Sequence, residues 1–191
     1  TEALEYLAEK YNVLLEKESF SSAHPAEHPK AALKDVLERA ALFYHVLLLK
    51  SQEGQDALRY LYKRGIDLSF IRRFKIGFAP KKEQILPQIF PDVSLSLLQA
   101  AGLWNGARKR EFFSDRILFP IQDLMGHVIG FSGRKFREET FGGKYINSPE
   151  TALFKKSHIL FALPYAKNSI SKKQEVLVVE GQIDALRLIE S

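Results

Sequence analysis

The chain has 191 residues and no cysteine. That absence excludes a disulfide framework, a thiol nucleophile and any thiolate site for zinc or an iron–sulfur cluster. No apolar run approaches the roughly 18 residues of a membrane span; the nearest, Ala40 to Leu49, is broken by His45. Thr1 to Lys10 alternates acidic and apolar groups without a basic stretch, so it does not read as a secretory signal. Apolar residues are plentiful, at 46% with 14 Phe, and suffice for a core. The expectation is a soluble, intracellular chain of one domain or one domain plus part of another. Thr1 in place of an initiator Met suggests a piece of a longer protein.

The net charge of +5 conceals a pattern. Residues 1–58 carry 6 basic and 10 acidic side chains, residues 59–82 carry 8 and 1, and residues 101–173 carry 13 and 6. Residues 174–191 return to acid, with Glu175, Glu180, Asp184 and Glu190 against Arg187. A basic middle and an acidic end could hold a polyanion in one part and cations in another; ordinary solvated surface is the alternative.

Leu4, Leu7, Ala8 and Tyr11 predict a short amphipathic helix over Thr1–Val13. Ser19, Ser21, Ser22, Pro25 and Pro29 mark a connector, in which His24 and His28 each precede a proline and so do not form a helical ligand pair. A long helix is predicted over Ala31–Lys50, and a second from Gly54 to Arg64 that stops at Gly65. Asp67 or Ser69 can cap a third through Arg73, after which Gly77-Phe78-Ala79-Pro80 breaks the pattern. Helices follow near 82–90 and 94–101. The runs Arg116–Gln122 and His127–Ser132 predict a β-hairpin, with Pro120 at an edge or bulge. Phe141–Lys144 reads as a loop, and Ser148-Pro149 as the start of a helix. Another helix fits 163–170. Val176–Glu180 is a fully apolar strand ending in a carboxylate, turned by Gly181 into a helix over Ile183–Glu190.

Two constellations carry chemistry. Glu180 at the carboxyl end of a buried strand stands where α/β sheets place ligands, and Asp184 follows on the first helical turn. Together they could hold a divalent cation or divide the roles of base and metal ligand. Equally, Glu180 could cap the helix and Asp184 offset its N-terminal dipole. The second constellation is a set of cations on loops and strand ends: Arg116, Arg134, Lys144, Lys155 and Lys156. Glycine beside several of them would let a phosphate approach the backbone, with Tyr145 or Phe131 available to stack on bases. Ordinary surface charge and core packing are the alternatives.

Four blocks then resemble the catalytic core of bacterial DNA primases of the DnaG type. They are Tyr60–Gly65 with Phe74–Pro80, Asp115–Ile121 with Gly130–Arg134, Lys144–Thr151 with Phe154–Lys156, and Val179-Glu-Gly-Gln-Ile-Asp184. The last is similar to the first motif of the toprim metal-binding module. Two departures stand out: Gln182-Ile183 replaces the usual Tyr-Met, and Ser132 replaces a second glycine.

The resemblance implies a mixed α+β fold: a basic helical and β-hairpin subdomain over 31–173, then the first strand and helix of a truncated toprim module over 174–191. Residues 1–30 would be the linker from an upstream zinc-binding domain, the only expected place for Zn²⁺. It implies short RNA primers made on single-stranded DNA template from ribonucleoside triphosphates, in the bacterial cytoplasm. Glu180 and Asp184 would be catalytic and hold Mg²⁺ or Mn²⁺ in an incomplete site. Arg64, Arg116, Arg134, Lys144 and Lys156 would line the groove for template and nucleotide. A replicative helicase and a single-strand-binding protein would be partners through other regions, and the piece alone would be inactive. The competing readings are a non-catalytic single-strand-binding module and another toprim enzyme, a nuclease or topoisomerase.

Overall fold

The structure, a computed structural model, describes residues 28–190. The helix expected over Thr1–Val13 and most of the connector, His24 included, lie outside the described residues. Helix α1 runs over Lys30–Lys50 and buries Leu33, Val36, Leu37, Ala40, Ala41, Tyr44 and Leu48, one face at helical spacing. Ser51 then serves two helices. Its hydroxyl donates to the Leu47 carbonyl at 2.7 Å, closing α1, and accepts from the Gly54 amide at 2.9 Å, opening α2 over Gln52–Lys63. A Cβ at Gly54 would sit 2.3 Å from the Leu47 oxygen, so this corner excludes any side chain.

Helix α2 ends at Gly65, whose φ of 70° is the left-handed cap expected there. Asp67 caps α3 (Leu68–Arg73) by accepting from the Phe70 amide at 2.8 Å and from Ser69 Oγ at 2.7 Å. Those donors hold its carboxyl below the usual range. Gly77–Ala79, expected only to break the helical pattern, forms strand β1. Short helices α4 (Ile85–Ile89) and α5 (Leu95–Ala100) and the ribbon β2–β3 (Trp104–Asn105, Arg110–Glu111) follow. Buried Glu111 accepts from the amides of Gln84 and Leu86, at 2.7 and 3.0 Å, where α4 starts.

The expected hairpin is β4 (Arg116–Gln122) with β5 (Val128–Arg134). With β6 (Tyr145–Asn147) it completes an antiparallel sheet of order β1-β4-β5-β6. Strand β1 pairs only with Arg116, Ile117 and Leu118, so Pro120 lies where β4 is an edge, next to a register shift at Ile121/Gln122. Alternation along β4 separates two cores. Leu118 packs with Phe131 and the buried face of α1, while Ile117 and Phe119 pack with Leu58, Phe70 and Phe74 from α2 and α3. The sheet therefore has a helical layer on each face.

Two expectations are corrected here. Ser148-Pro149 starts no helix. Ser148 is fully buried and extends the pairing of β6, donating its amide to the Phe131 carbonyl and accepting the Phe131 amide on Oγ, both at 2.9 Å. Its hydroxyl is spent on the sheet and cannot cap a helix. Nor do Val176–Glu180 form a strand. Val176, Leu177 and Val178 are 62–73% exposed; a fully apolar strand needs both faces covered and a partner strand to pair with, and none runs beside it among the described residues. Helices α6 (Leu163–Lys173) and α7 (Gln182–Glu190) flank this segment. Ile183 and Leu186 of α7 are buried in the core under α2 and α3. No helix among the described residues is long and apolar enough to cross a membrane.

Candidate nucleic-acid interface

Tyr60, Lys63 and Arg64 leave α2 at helical spacing and share one face. Opposite them stand Arg134 at the end of β5, Lys144 and Tyr145 at the start of β6, and Ile183, Asp184 and Arg187 on α7. These residues line one open groove of about 700 Å³.

Arg134 is the best-fixed cation. In register it faces Ile117, so its side chain leaves the sheet on the α2 side. Its Nε and Nη2 donate to the Tyr60 hydroxyl at 3.0 and 2.8 Å, and its Nη1 donates to the Tyr145 hydroxyl. The guanidinium also lies 5.0 Å from the Tyr145 ring centroid, while that of Arg64 lies 5.0 Å from the Tyr60 ring. Burial opposes the charged form of Arg134, but the two phenolic oxygens outweigh it, and its pKa is raised. Three of its five N–H groups are thereby used, and the residue is 4% exposed. Lys63 and Lys144 make no side-chain hydrogen bond or ion pair among the described residues, so their ammonium groups remain available to an anion.

Helix α7 brings Asp184 and Arg187 to the groove. Gln182 Nε2 donates to Ser132 Oγ at 3.0 Å, tying the start of the helix to β5. Each belongs to one of the two departures from the primase pattern noted in the sequence, and the two side chains bond to each other. Arg187 donates to the Arg64 carbonyl, linking α7 to the end of α2. Asp184 faces this groove; Glu180 instead lines an adjacent one, bounded by α6, residues 175–181 and α7. Gly181 borders both. The described residues contain no group of three His, Cys, Asp or Glu that could hold a metal ion.

Arg116 does not line the groove. It is one residue out of phase with Ile117, on the opposite sheet face from Arg134, and only 2% exposed. Its Nη1 donates to the carbonyls of Gly133 (3.2 Å) and Gly143 (3.0 Å), and its Nη2 to Phe141 (2.6 Å). Burial lowers its pKa, with Asp115 acting against that. Lys156 sits outside the groove too, exposed at the start of a short 3₁₀ turn, its amide donating to Glu150 Oε1 at 2.8 Å. The groove thus gathers Arg64, Arg134, Lys144 and Asp184 but not Arg116, Glu180 or Lys156. Sequence reading gave no role to Tyr60, Lys63 or Arg187; the i, i+3, i+4 spacing of Tyr60, Lys63 and Arg64 was the available signal.

Fold and groove define a mixed α+β domain with a cationic cleft, a surface suited to a polyanion. The chain belongs to the DNA primase catalytic core, N-terminal domain family, whose model matches residues 43–167. Glu180 and Asp184 lie beyond that match. The DNA primase of Chlamydia muridarum is 41% identical over the whole chain, which spans 32% of that relative's length. The RNA polymerase domain of Mycobacterium tuberculosis primase DnaG is 35% identical, with a TM-score of 0.77 over 83% of this chain and 52% of that one. A DnaG primase catalytic domain bound to ssDNA is similar at 34% identity and a TM-score of 0.74, over 83% of this chain and 50% of that one.

Proposed function

We propose that the groove receives single-stranded DNA template and the polyphosphate of a ribonucleoside triphosphate. The protein would then be a DNA primase, making short RNA primers by nucleotidyl transfer. The observation that carries this reading is the convergence of Lys63, Arg64, Arg134 and Lys144, from separate elements, on one groove that Asp184 also lines. Cations so placed neutralise phosphates and release counterions, which makes affinity fall steeply with salt. Family membership supports the choice of nucleic acid among polyanions.

In this reading Arg134, braced by two phenols, sets the position of one phosphate with its remaining donors. Lys144 and Arg64 supply mobile charge beside it, and exposed Lys156 extends the basic track. Arg116 acts at one remove, by holding the Phe141–Lys144 loop. Asp184 and Glu180 are the proposed catalytic carboxylates. Carboxylate oxygens are the donor type that Mg²⁺ or Mn²⁺ takes, and a site for Mg²⁺ can rest on one or two of them with waters. Bound there, the ion would stabilise charge on the transferring phosphoryl group. The two carboxylates line different grooves, which makes them a partial donor set. Zinc has no ligand set among the described residues. Residues 31–173 form the basic subdomain in this reading, and 174–191 open the toprim module. The site of action would be the cytoplasm, at the replicating chromosome, with the helicase and single-strand-binding protein meeting other surfaces.

A non-catalytic single-strand-binding module is the second reading, favoured by the separation of Glu180 from Asp184. Asp184→Asn in the full-length protein separates the two. The primase reading expects primer yield to fall about tenfold or more while single-strand affinity is kept. Unchanged yield would overturn the catalytic role of Asp184, while single-strand binding without any primer synthesis by the unsubstituted full-length protein would leave the binding module.

A further inference from the structure

Phe141 is the most exposed large apolar side chain among the described residues, at 83%. Its backbone is among the most tethered. The 135–144 connection between β5 and β6 passes two adjacent buried residues, Asp115 and Arg116, and both hold it through hydrogen bonds. Thr140 Oγ1 donates to Asp115 Oδ2 at 2.6 Å, and Arg137 Nη1 donates to Asp115 Oδ1 at 2.9 Å. Arg116 takes the carbonyls of Phe141 and Gly143, and the Lys135 amide donates to the Lys144 carbonyl at 3.0 Å. Gly142 fits this path in two ways: its φ is 89°, and a Cβ there would meet Arg116 Nη2 at 3.3 Å.

A clamp this complete fixes the loop while leaving one phenyl ring in water. The ring is three residues from Lys144, a lining residue of the cationic groove, and so within about 10 Å of it along the chain. A rigid aromatic beside mobile cations matches the requirement for single-stranded nucleic acid, where bases stack on rings while Lys and Arg follow the phosphates. Pre-fixing the loop lowers the ordering cost of that contact.

We infer that Phe141 is a base-stacking platform that captures an unpaired base of the single strand beside the groove. The inference rests on the proposed nucleic-acid reading of the groove. Its test is fluorescence anisotropy of a labelled single-stranded oligonucleotide with full-length protein, comparing Phe141→Ala, Phe141→Trp and Lys144→Ala across a salt series. Phe141→Ala is expected to weaken binding about fivefold or more with the salt slope unchanged. Phe141→Trp is expected to retain affinity, with its emission quenched by the strand above the constant background of buried Trp104. Lys144→Ala is expected to reduce the salt slope by about 0.7. On a strand carrying abasic sites, wild type should lose the advantage it holds over Phe141→Ala. Normal affinity for Phe141→Ala alongside weakened Lys144→Ala would overturn the stacking role and keep the groove. Equal losses for Phe141→Ala on intact and abasic strands would assign the effect to loop structure and also overturn stacking. If neither variant weakens binding, the groove reading itself fails.

Discussion

The two walls of the groove differ in how they are supported. Arg134 ends a strand paired on both sides, and two tyrosines from different elements grip its guanidinium. Asp184 stands on a nine-residue helix held by Ile183, Leu186 and the Gln182–Ser132 hydrogen bond, preceded by an exposed apolar segment. The cationic wall is thus a product of the sheet and its two helical layers. The wall that carries Asp184 is a docked element whose position depends on a few contacts. Phosphate placement and carboxylate placement should accordingly fail separately.

The largest effect tests the well-supported wall. Arg116→Ala strands three carbonyl acceptors, two of them in the 141–143 loop, and should destabilise the protein by about 3 kcal/mol or more in urea unfolding. Arg116→Lys should recover little of it, because an ammonium lacks the planar fork that reaches several acceptors at once. Next, Leu186→Ala removes a buried anchor of α7. A loss of about 2 kcal/mol should appear as faster amide exchange confined to α7, with β4 and β5 still protected; uniform loss of protection would erase the contrast between the walls. Lys144→Ala comes third, at about 1 kcal/mol of single-strand affinity, with unfolding unchanged because its ammonium supports nothing in the fold. The smallest is Gln182→Ala, at about 0.5–1 kcal/mol for the lost hydrogen bond. A double-mutant cycle with Ser132→Ala should show coupling between the two positions, and zero coupling would detach α7 from β5.

Much of this arrangement could be read from the amino acids. Helical periodicity located α1, glycine stops and turns bounded α2 and α7, and the β-branched runs around Asp123–Gly126 located the hairpin. What escaped depended on partners distant in sequence. Gly77–Ala79 is too short to announce a strand until Arg116–Leu118 lies beside it. Ser148 has the composition of a helix cap, but the edge of β5 offered its amide and hydroxyl better partners. Val176–Glu180 has the composition of a central strand and lacks neighbours here. For the site, motif resemblance singled out Arg64, Arg134, Lys144 and Asp184. It could not tell Arg116 from Arg134, since strand register decides which face of the sheet a side chain joins. Tyr60 and Tyr145 were legible as residues of the blocks but not as the brace of an arginine.

The Ser51–Gly54 corner has a consequence for which insertions the protein can accept. Because one hydroxyl closes α1 and opens α2, the starting phase of α2 is locked to the helix packed under the sheet. A single residue inserted between Ala57 and Tyr60 would turn everything after it by about 100°. Tyr60, Lys63 and Arg64 would then swing away together, removing the brace of Arg134 and half of the cationic wall in one step. Length variation should be rejected within this stretch, so α2 acts as a rotational index for the groove.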